Sequence, residues 1–301
     1  MVTAPVRSAG VFAFVAAAAL AWWLTPRLAR VALARGLVAA PSPRGVHTRP
    51  TPVSGGATIA ISAALVLALA EAGGPAPPSW IAVPALLVAV LGALDDVVEL
   101  GWATKLALEI AIAALALWLA GDRAVDVRSI AALAWLVAVT NAMNLIDNMD
   151  GLASGTAAIA LIALAAIAGR TGAGAIAGLA LAVAGACAGF FWPNFSRGAA
   201  FLGDCGSLLL GFVAAAISLS VVRASPAVGY APLLALGYPI CDAVFVVARR
   251  CASRRSPVAG GTDHTSHALA AWLGRRGAVV CLLAASSAIA AAAVSVAVAG
   301  S

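Results

Sequence analysis

Charge is scarce in this sequence: Asp, Glu, Lys and Arg together make up 10% of its 301 residues. A soluble domain carries about a quarter. Polar helix faces are missing as well, because most of the apolar segments are apolar all round, which excludes an Ala-rich helical protein folded in water. Cysteine is sparse, and Cys187, Cys205, Cys241, Cys251 and Cys281 show no C-x-x-C spacing. That excludes a disulfide framework and a cysteine zinc site. The net charge of +6 does not imply nucleic acid. Its arginines cluster in short loops between apolar runs, as membrane orientation requires.

What is present is hydrophobic: 63% of residues are apolar and mean hydropathy is +1.04. Packed in water, such a chain would expose large apolar patches, so a bilayer is its natural solvent. Runs of spanning length recur near 8–29, 55–73, 80–96, 103–120, 129–146, 152–169, 173–192, 206–222, 229–249 and 277–299. The expectation is an all-α polytopic membrane protein of about ten transmembrane helices, with 1–301 forming one integral membrane domain. Arg7 followed by Val11 to Leu20 resembles a secretory leader. The apolar character continues through Trp22, Trp23 and Leu24, so this segment reads as the first membrane helix.

Basic residues orient the spans. With the N-terminus outside, the loops after odd-numbered helices collect Arg27, Arg30, Arg35, Arg44, Arg49, Lys105, Arg197, Arg249, Arg250, Arg254, Arg255, Arg275 and Arg276. The other side keeps Arg7, Arg123, Arg128, Arg170 and Arg223. Both termini are therefore expected outside the cytoplasm. Acidic residues do not obey this rule, yet Asp95, Asp96, Glu99, Asp147, Asp150, Asp204, Asp242 and Asp263 fall on the cytoplasmic side too. Carboxylates and cations gathered on one face suggest a site for a metal and a polyanion.

Five segments carry the chemistry. Asp95-Asp96 closes the third span, and two adjacent carboxylates repel one another unless a cation such as Mg²⁺ lies between them. In Asn141-Ala142-Met143-Asn144-Leu145-Ile146-Asp147-Asn148-Met149-Asp150-Gly151-Leu152, the residues Asn141, Asn144 and Asp147 share a helix face. Asp150 extends that series into a turn. In Phe201-Leu202-Gly203-Asp204-Cys205-Gly206-Ser207-Leu208, the glycines admit close approach, and the helix that follows offers free N–H groups to phosphate. The loop from Arg254 to His267 holds arginines, glycines and two of the three histidines, a set suited to a diphosphate. Lipid headgroups are the simpler alternative for its basic residues. The first loop adds Arg44, His47 and Arg49 before Thr51-Pro52-Val53-Ser54-Gly55-Gly56.

In this order and on one face, the segments resemble the polyprenyl-phosphate N-acetylhexosamine-1-phosphate transferases. The resemblance spans nearly the whole chain. It rests on His47-x-x-Pro50-Thr51-Pro52 with Gly55-Gly56, Asp95-Asp96 with Lys105-Leu106, Asn144-x-x-Asp147-x-x-Asp150-Gly151-Leu152, Gly203-Asp204-x-Gly206-Ser207-Leu208, and Asp263-His264-x-x-His267. It implies ten helices with a cytoplasmic active site in the inner (plasma) membrane. It also implies Mg²⁺, with Mn²⁺ as a substitute, a UDP-sugar donor and undecaprenyl phosphate as acceptor. The family admits a homodimer, and nucleic acid is not among its partners.

By position, the resemblance makes Asp204 the main metal ligand, with Asp95 and Asp96 beside it. Asp95, Asp96, Asn144, Asp147, Lys105 and His264 form the implied catalytic set. Asn148, Met149, Asp150, Asn194, Phe201, His267 and Arg49 are implied for the donor nucleotide and diphosphate, with Phe201 stacking on uracil. Three departures bear on the substrate: Asn148 stands where Gly is more usual, Glu109 replaces a frequent Gln, and the last loop lacks adjacent histidines. They disfavour the peptidoglycan precursor as donor and leave the exact HexNAc open; UDP-GlcNAc is the preferred expectation, ahead of UDP-GalNAc or a 6-deoxy relative. The competing readings are a phospho-MurNAc-pentapeptide transferase and a secondary transporter. A transporter places its carboxylates near the midplane and within repeated halves, neither of which is found here.

Overall fold

The computed structural model describes residues 4–39, 50–71, 77–256 and 261–300. Helices dominate: α1 (Ala4–Ala34), α2 (Gly55–Glu71), α3 (Ser79–Val98), α4 (Trp102–Leu119), α5 (Val127–Ile146), α6 (Leu152–Arg170), α7 (Gly174–Arg197), α8 (Gly203–Ala224), α9 (Ala231–Leu234), α10 (Gly237–Ala252) and α11 (Thr265–Gly300). A two-stranded antiparallel ribbon pairs β1 (Val38–Ala39) with β2 (Thr51–Pro52). Among the described residues, eight helices are long and apolar enough to cross a membrane, and Gly55–Leu69 of α2 is a shorter apolar helix. The chain is a multi-pass, all-α membrane protein.

Besides the span expected at 55–73, which is the short α2, two expected spans take a different form. The run at 229–249 divides into a 3₁₀ turn (Pro226–Val228), the four-residue α9 and the 16-residue α10. Gly229 and Gly237 punctuate this stretch, and Pro232 and Pro239 each sit where they can only begin a helix. The last helix starts earlier than 277, at Thr265, and bends sharply at Gly274 (φ 66°, ψ 169°), a conformation open to glycine. The short arm 265–273 thus meets the membrane-spanning arm at an angle.

Between helices in lipid there is little hydrophobic drive, so association rests on close packing and hydrogen bonds. Gly185 and Gly189 on α7 lie against the backbone of Phe14 and Ala18 on α1, leaving no room for a Cβ. Several hydroxyl groups inside the spans are satisfied locally, as where Thr140 donates to the Leu136 carbonyl at 2.7 Å, whereas those of Ser154 and Thr156 on α6 are buried without a partner. Trp135 on α5 donates to Ser218 on α8 at 3.0 Å. The most enclosed helix is α8, with 83% of its spanning window buried against 22% for α4. It packs on α2, α3, α5 and α6. Every polar group at its N-terminus is therefore held from several sides.

Candidate active site

The N-terminus of α8 organises the site. Gly203 has φ +73°, and the backbone N–H groups of Asp204 and Cys205 donate to the Asp96 carboxylate at 2.8 and 3.1 Å. A carboxylate from α3 thus caps a helix from the other half of the chain. One turn before Asp96, Gly92 lets α3 approach the Asp204–Cys205 backbone so closely that a Cβ would overlap it. On the other flank, β2 and the start of α2 pair with the residues before α8. Phe201 N–H donates to Pro52 O at 2.8 Å, and Gly55 and Gly56 N–H donate to Phe201 and Leu202 carbonyls at 2.9 Å.

The Asp204 side chain is gripped from two helices. Asn144 on α5 donates to its Oδ1 at 2.8 Å and to Ser207 Oγ at 2.9 Å. Lys105 on α4 forms an ion pair with its Oδ2 and a second with Asp95 Oδ2 at 2.9 Å. Asp95 also accepts the Leu100 N–H at 2.6 Å. Lys105 is therefore the cation between Asp95 and Asp204. Beneath it, Glu109 accepts from Asn141, and its other oxygen is buried without a hydrogen-bond partner.

A cavity of about 500 Å³ opens beside this cluster. Asp96, Asp147, Asp150 and Asp204 line it, together with Asn148, Met149, Asn194, Phe201, His267 and Arg275. Asp147 follows α5, its N–H donating to the Asn144 carbonyl at 3.2 Å, and among the described residues its carboxylate has no hydrogen-bond or ion partner. Burial, and then the negative charges of Asp204, Asp150 and Asp96, push its carboxyl well above the usual range. An unpaired acid among acids, beside the Asp204 carboxylate, fits a hard divalent cation. Among the described residues no three His, Cys, Asp or Glu side chains form a ready cage.

The rest of the wall is held by side chains working behind it. Asn194 accepts the Gly151 N–H at 2.5 Å and donates to Ala200 O at 2.8 Å, which ties the α5–α6 turn to the approach of α8. Asn148 donates to Leu145 O at 2.9 Å and accepts from Ser266 Oγ at 2.7 Å, joining that turn to α11. Both residues border the cavity with much of their bonding capacity already engaged.

The final loop is anchored at two points. Asp242 on α10 accepts from the Thr265 N–H at 2.9 Å and from its hydroxyl at 2.5 Å, and lies 2.8 Å from His264 Nδ1. Asp263 bonds Arg255 at 3.0 Å and Arg250 at 3.3 Å. Burial opposes ionisation of Asp263, but Arg250, Arg255 and Arg249 outweigh it and hold the carboxyl below its usual range. As a result His264 is buried behind the wall, while His267 faces the cavity with its ring centroid 6.1 Å from that of His264.

Most of the expected residues do converge. Asp95, Lys105 and Asn144 stand just behind the wall, gripping Asp204. Asp96 reaches the cavity, but its oxygens serve the α8 backbone. Arg49 and His47 lie outside the described residues, as does part of the final loop. Sequence reasoning gave no individual role to Asp242 or Arg275, counting them only among the charges of the cytoplasmic side. A buried acid inside an otherwise apolar run was the available signal for Asp242. Arg275 was visible only as one of many cytoplasmic arginines.

The family described as glycosyl transferase family 4 matches residues 79–222. The chain is 30% identical over 282 residues to the probable undecaprenyl-phosphate N-acetylglucosaminyl 1-phosphate transferase of Bacillus subtilis (strain 168), covering 87% of this chain and 77% of that one. It is 30% identical over 265 residues to the undecaprenyl-phosphate alpha-N-acetylglucosaminyl 1-phosphate transferase of Thermotoga maritima, covering 86% and 81%. Similarity extends to a phospho-N-acetylmuramoyl-pentapeptide-transferase of Synechococcus sp. (strain WH7803), at 29% over 66% of this chain and 63% of that one.

Proposed function

The chain belongs to the polyprenyl-phosphate N-acetylhexosamine-1-phosphate transferases of glycosyl transferase family 4, and on that footing we propose that it moves N-acetylglucosamine-1-phosphate from a UDP-sugar to undecaprenyl phosphate, releasing UMP. The observation that carries this reading is the cavity in which Asp147 and Asp204 meet His267 and Arg275. A diphosphate needs cationic partners of both kinds, a metal on the acidic wall and basic side chains elsewhere. The setting we infer is the plasma membrane, crossed about ten times with both termini outside and the cavity open to the cytoplasm.

In this reaction an oxygen of the lipid phosphate attacks the β-phosphorus of the donor. The bond from that phosphorus to the oxygen bridging to UMP breaks, and UMP leaves with the bond electrons. The lipid phosphate enters largely ionised at neutral pH, its second pKa being about 6, so a strong base is not required. What the protein supplies is position and field. Asp147 and Asp204 would hold Mg²⁺, which when bound neutralises charge on the diphosphate. Lys105 and Asn144 fix the Asp204 carboxylate, and Asp96 fixes its backbone. His267 and Arg275 balance the donor's negative charge, and the Phe201 ring offers a face to uracil.

The test is UMP release by purified protein with undecaprenyl phosphate and a panel of UDP-sugars, with Mg²⁺ or EDTA, for wild type and Asp204→Ala. The proposal requires release that depends on lipid phosphate, on a divalent cation and on Asp204, with UDP-GlcNAc the best donor. No release from any donor by folded wild-type protein would defeat it.

A further inference from the structure

Beside the main cavity lies a smaller one of about 280 Å³, sharing Met149, Asp150 and Arg275 with it. Its outer part is made by Phe195, Ser196 and Arg197 at the end of α7 and by Arg275, Arg276 and Val279 on α11. Three guanidinium groups therefore border one small space. Arg276 donates to the Ser196 carbonyl at 2.9 Å. Among the described residues none of the three arginines has a carboxylate within ion-pair distance. Like charges gathered this way repel unless an anion joins them, and guanidinium matches phosphate through paired N–H donors.

The position selects the source of that anion. Arg197 ends one membrane-crossing helix and Arg275 begins the spanning arm of another, immediately after the bend at Gly274. Span ends are where lipid headgroups lie. Trp192 and Trp272, 58% and 88% exposed, flank the cavity in sequence on the two helices, as aromatic residues do at a membrane interface. Phe195 and Val279 give the cavity an apolar side suited to the glycerol and first acyl carbons. We propose that this annex binds the phosphate of an anionic phospholipid, adjoining the donor cavity through Arg275 and held on its far side by Arg197 and Arg276. The inference does not depend on the transferase reading, because its evidence is charge and position alone.

Mass spectrometry of the full-length protein in detergent, titrated with phosphatidylglycerol or phosphatidylcholine, reads bound lipid directly and needs no activity. Wild type should bind phosphatidylglycerol at least tenfold more tightly than phosphatidylcholine. Arg197→Ala combined with Arg276→Ala should weaken phosphatidylglycerol about tenfold to thirtyfold, since each basic side chain at a lipid surface contributes of order fivefold. Replacing both by Lys should retain most of the binding. Millimolar inorganic phosphate should not displace the lipid. Equal binding of the two lipids by wild type, or unchanged affinity in the folded Ala variant, would overturn the proposal. So would displacement by inorganic phosphate, which would make the annex a free-anion site. If the Ala variant does not fold, the wild-type lipid preference and the phosphate competition still decide the matter.

Discussion

Asp96 holds Asp204 by its backbone: the α3 carboxylate accepts the Asp204 N–H at 2.8 Å and, through its other oxygen, the Cys205 N–H at 3.1 Å. Two acids that look equivalent in sequence thus have different duties. Asp204 presents its side chain to the cavity edge, and Asp96 spends its oxygens keeping Asp204 there.

That division predicts separable phenotypes. Asp96→Ala removes a charged helix cap and should destabilise the protein by about 2 kcal/mol, lowering its thermal midpoint together with its turnover. Asp204→Ala should leave the midpoint above that of Asp96→Ala, while UMP release falls by about a hundredfold or more. Thermal unfolding in detergent beside UMP release distinguishes them, and equal midpoints with equal activity loss would contradict the assignment.

Lys105 lies between Asp95 and Asp204. Lys105→Met leaves two neighbouring carboxylates without their shared cation and should cost about 3 kcal/mol. Adding Asp95→Asn removes the repulsion and should return part of that loss, a coupling visible in a double-mutant cycle of thermal midpoints. Strict additivity of the two substitutions would show that the ion pairs are not an energetic unit.

The final loop separates positioning from contact. His264 and Asp242 bond each other behind the wall, so His264→Ala and Asp242→Asn should be strongly non-additive. Each should shift kcat and KM together by loosening the start of α11. His267 faces the cavity, and His267→Ala should act mainly by raising KM for the UDP-sugar. Steady-state kinetics with varied donor checks this split.

Acid should loosen the Asp263 anchor. Its carboxyl titrates lower folded than unfolded, so it stabilises above the unfolded value of about 4. That contribution disappears as pH falls through the lower folded value. Asp263→Asn should therefore be less stable than wild type at neutral pH, with the difference closing below about pH 4. Amide hydrogen exchange across 261–266 at the two pH values is the measurement. A gap that persists in acid would point to a cause other than ionisation.

Much of this protein was legible without its structure. Long apolar runs can only be membrane helices, so eight of the expected spans reappear as helices long and apolar enough to cross, among the described residues. The acidic motifs also announced themselves, because Asp95, Asp96, Asp147 and Asp204 are costly at the ends of apolar helices unless they are used. The broken span at 229–249 carried its own warning in Gly229, Pro232, Gly237 and Pro239, which an average of hydropathy smooths away.

Tertiary structure alone decided which acid does what. Sequence placed Asp95 and Asp96 side by side, but a helix turns about 100° per residue, so one carboxylate meets Lys105 and the other the N-terminus of α8. It could not reveal that Asp242 holds His264 and Thr265, or that Arg197 and Arg276 share a cavity 79 positions apart in the chain. Composition and periodicity act along the chain and determine what must leave water. Hydrogen bonds and ion pairs act across it, over distances of about 3 Å that only the packed helices fix.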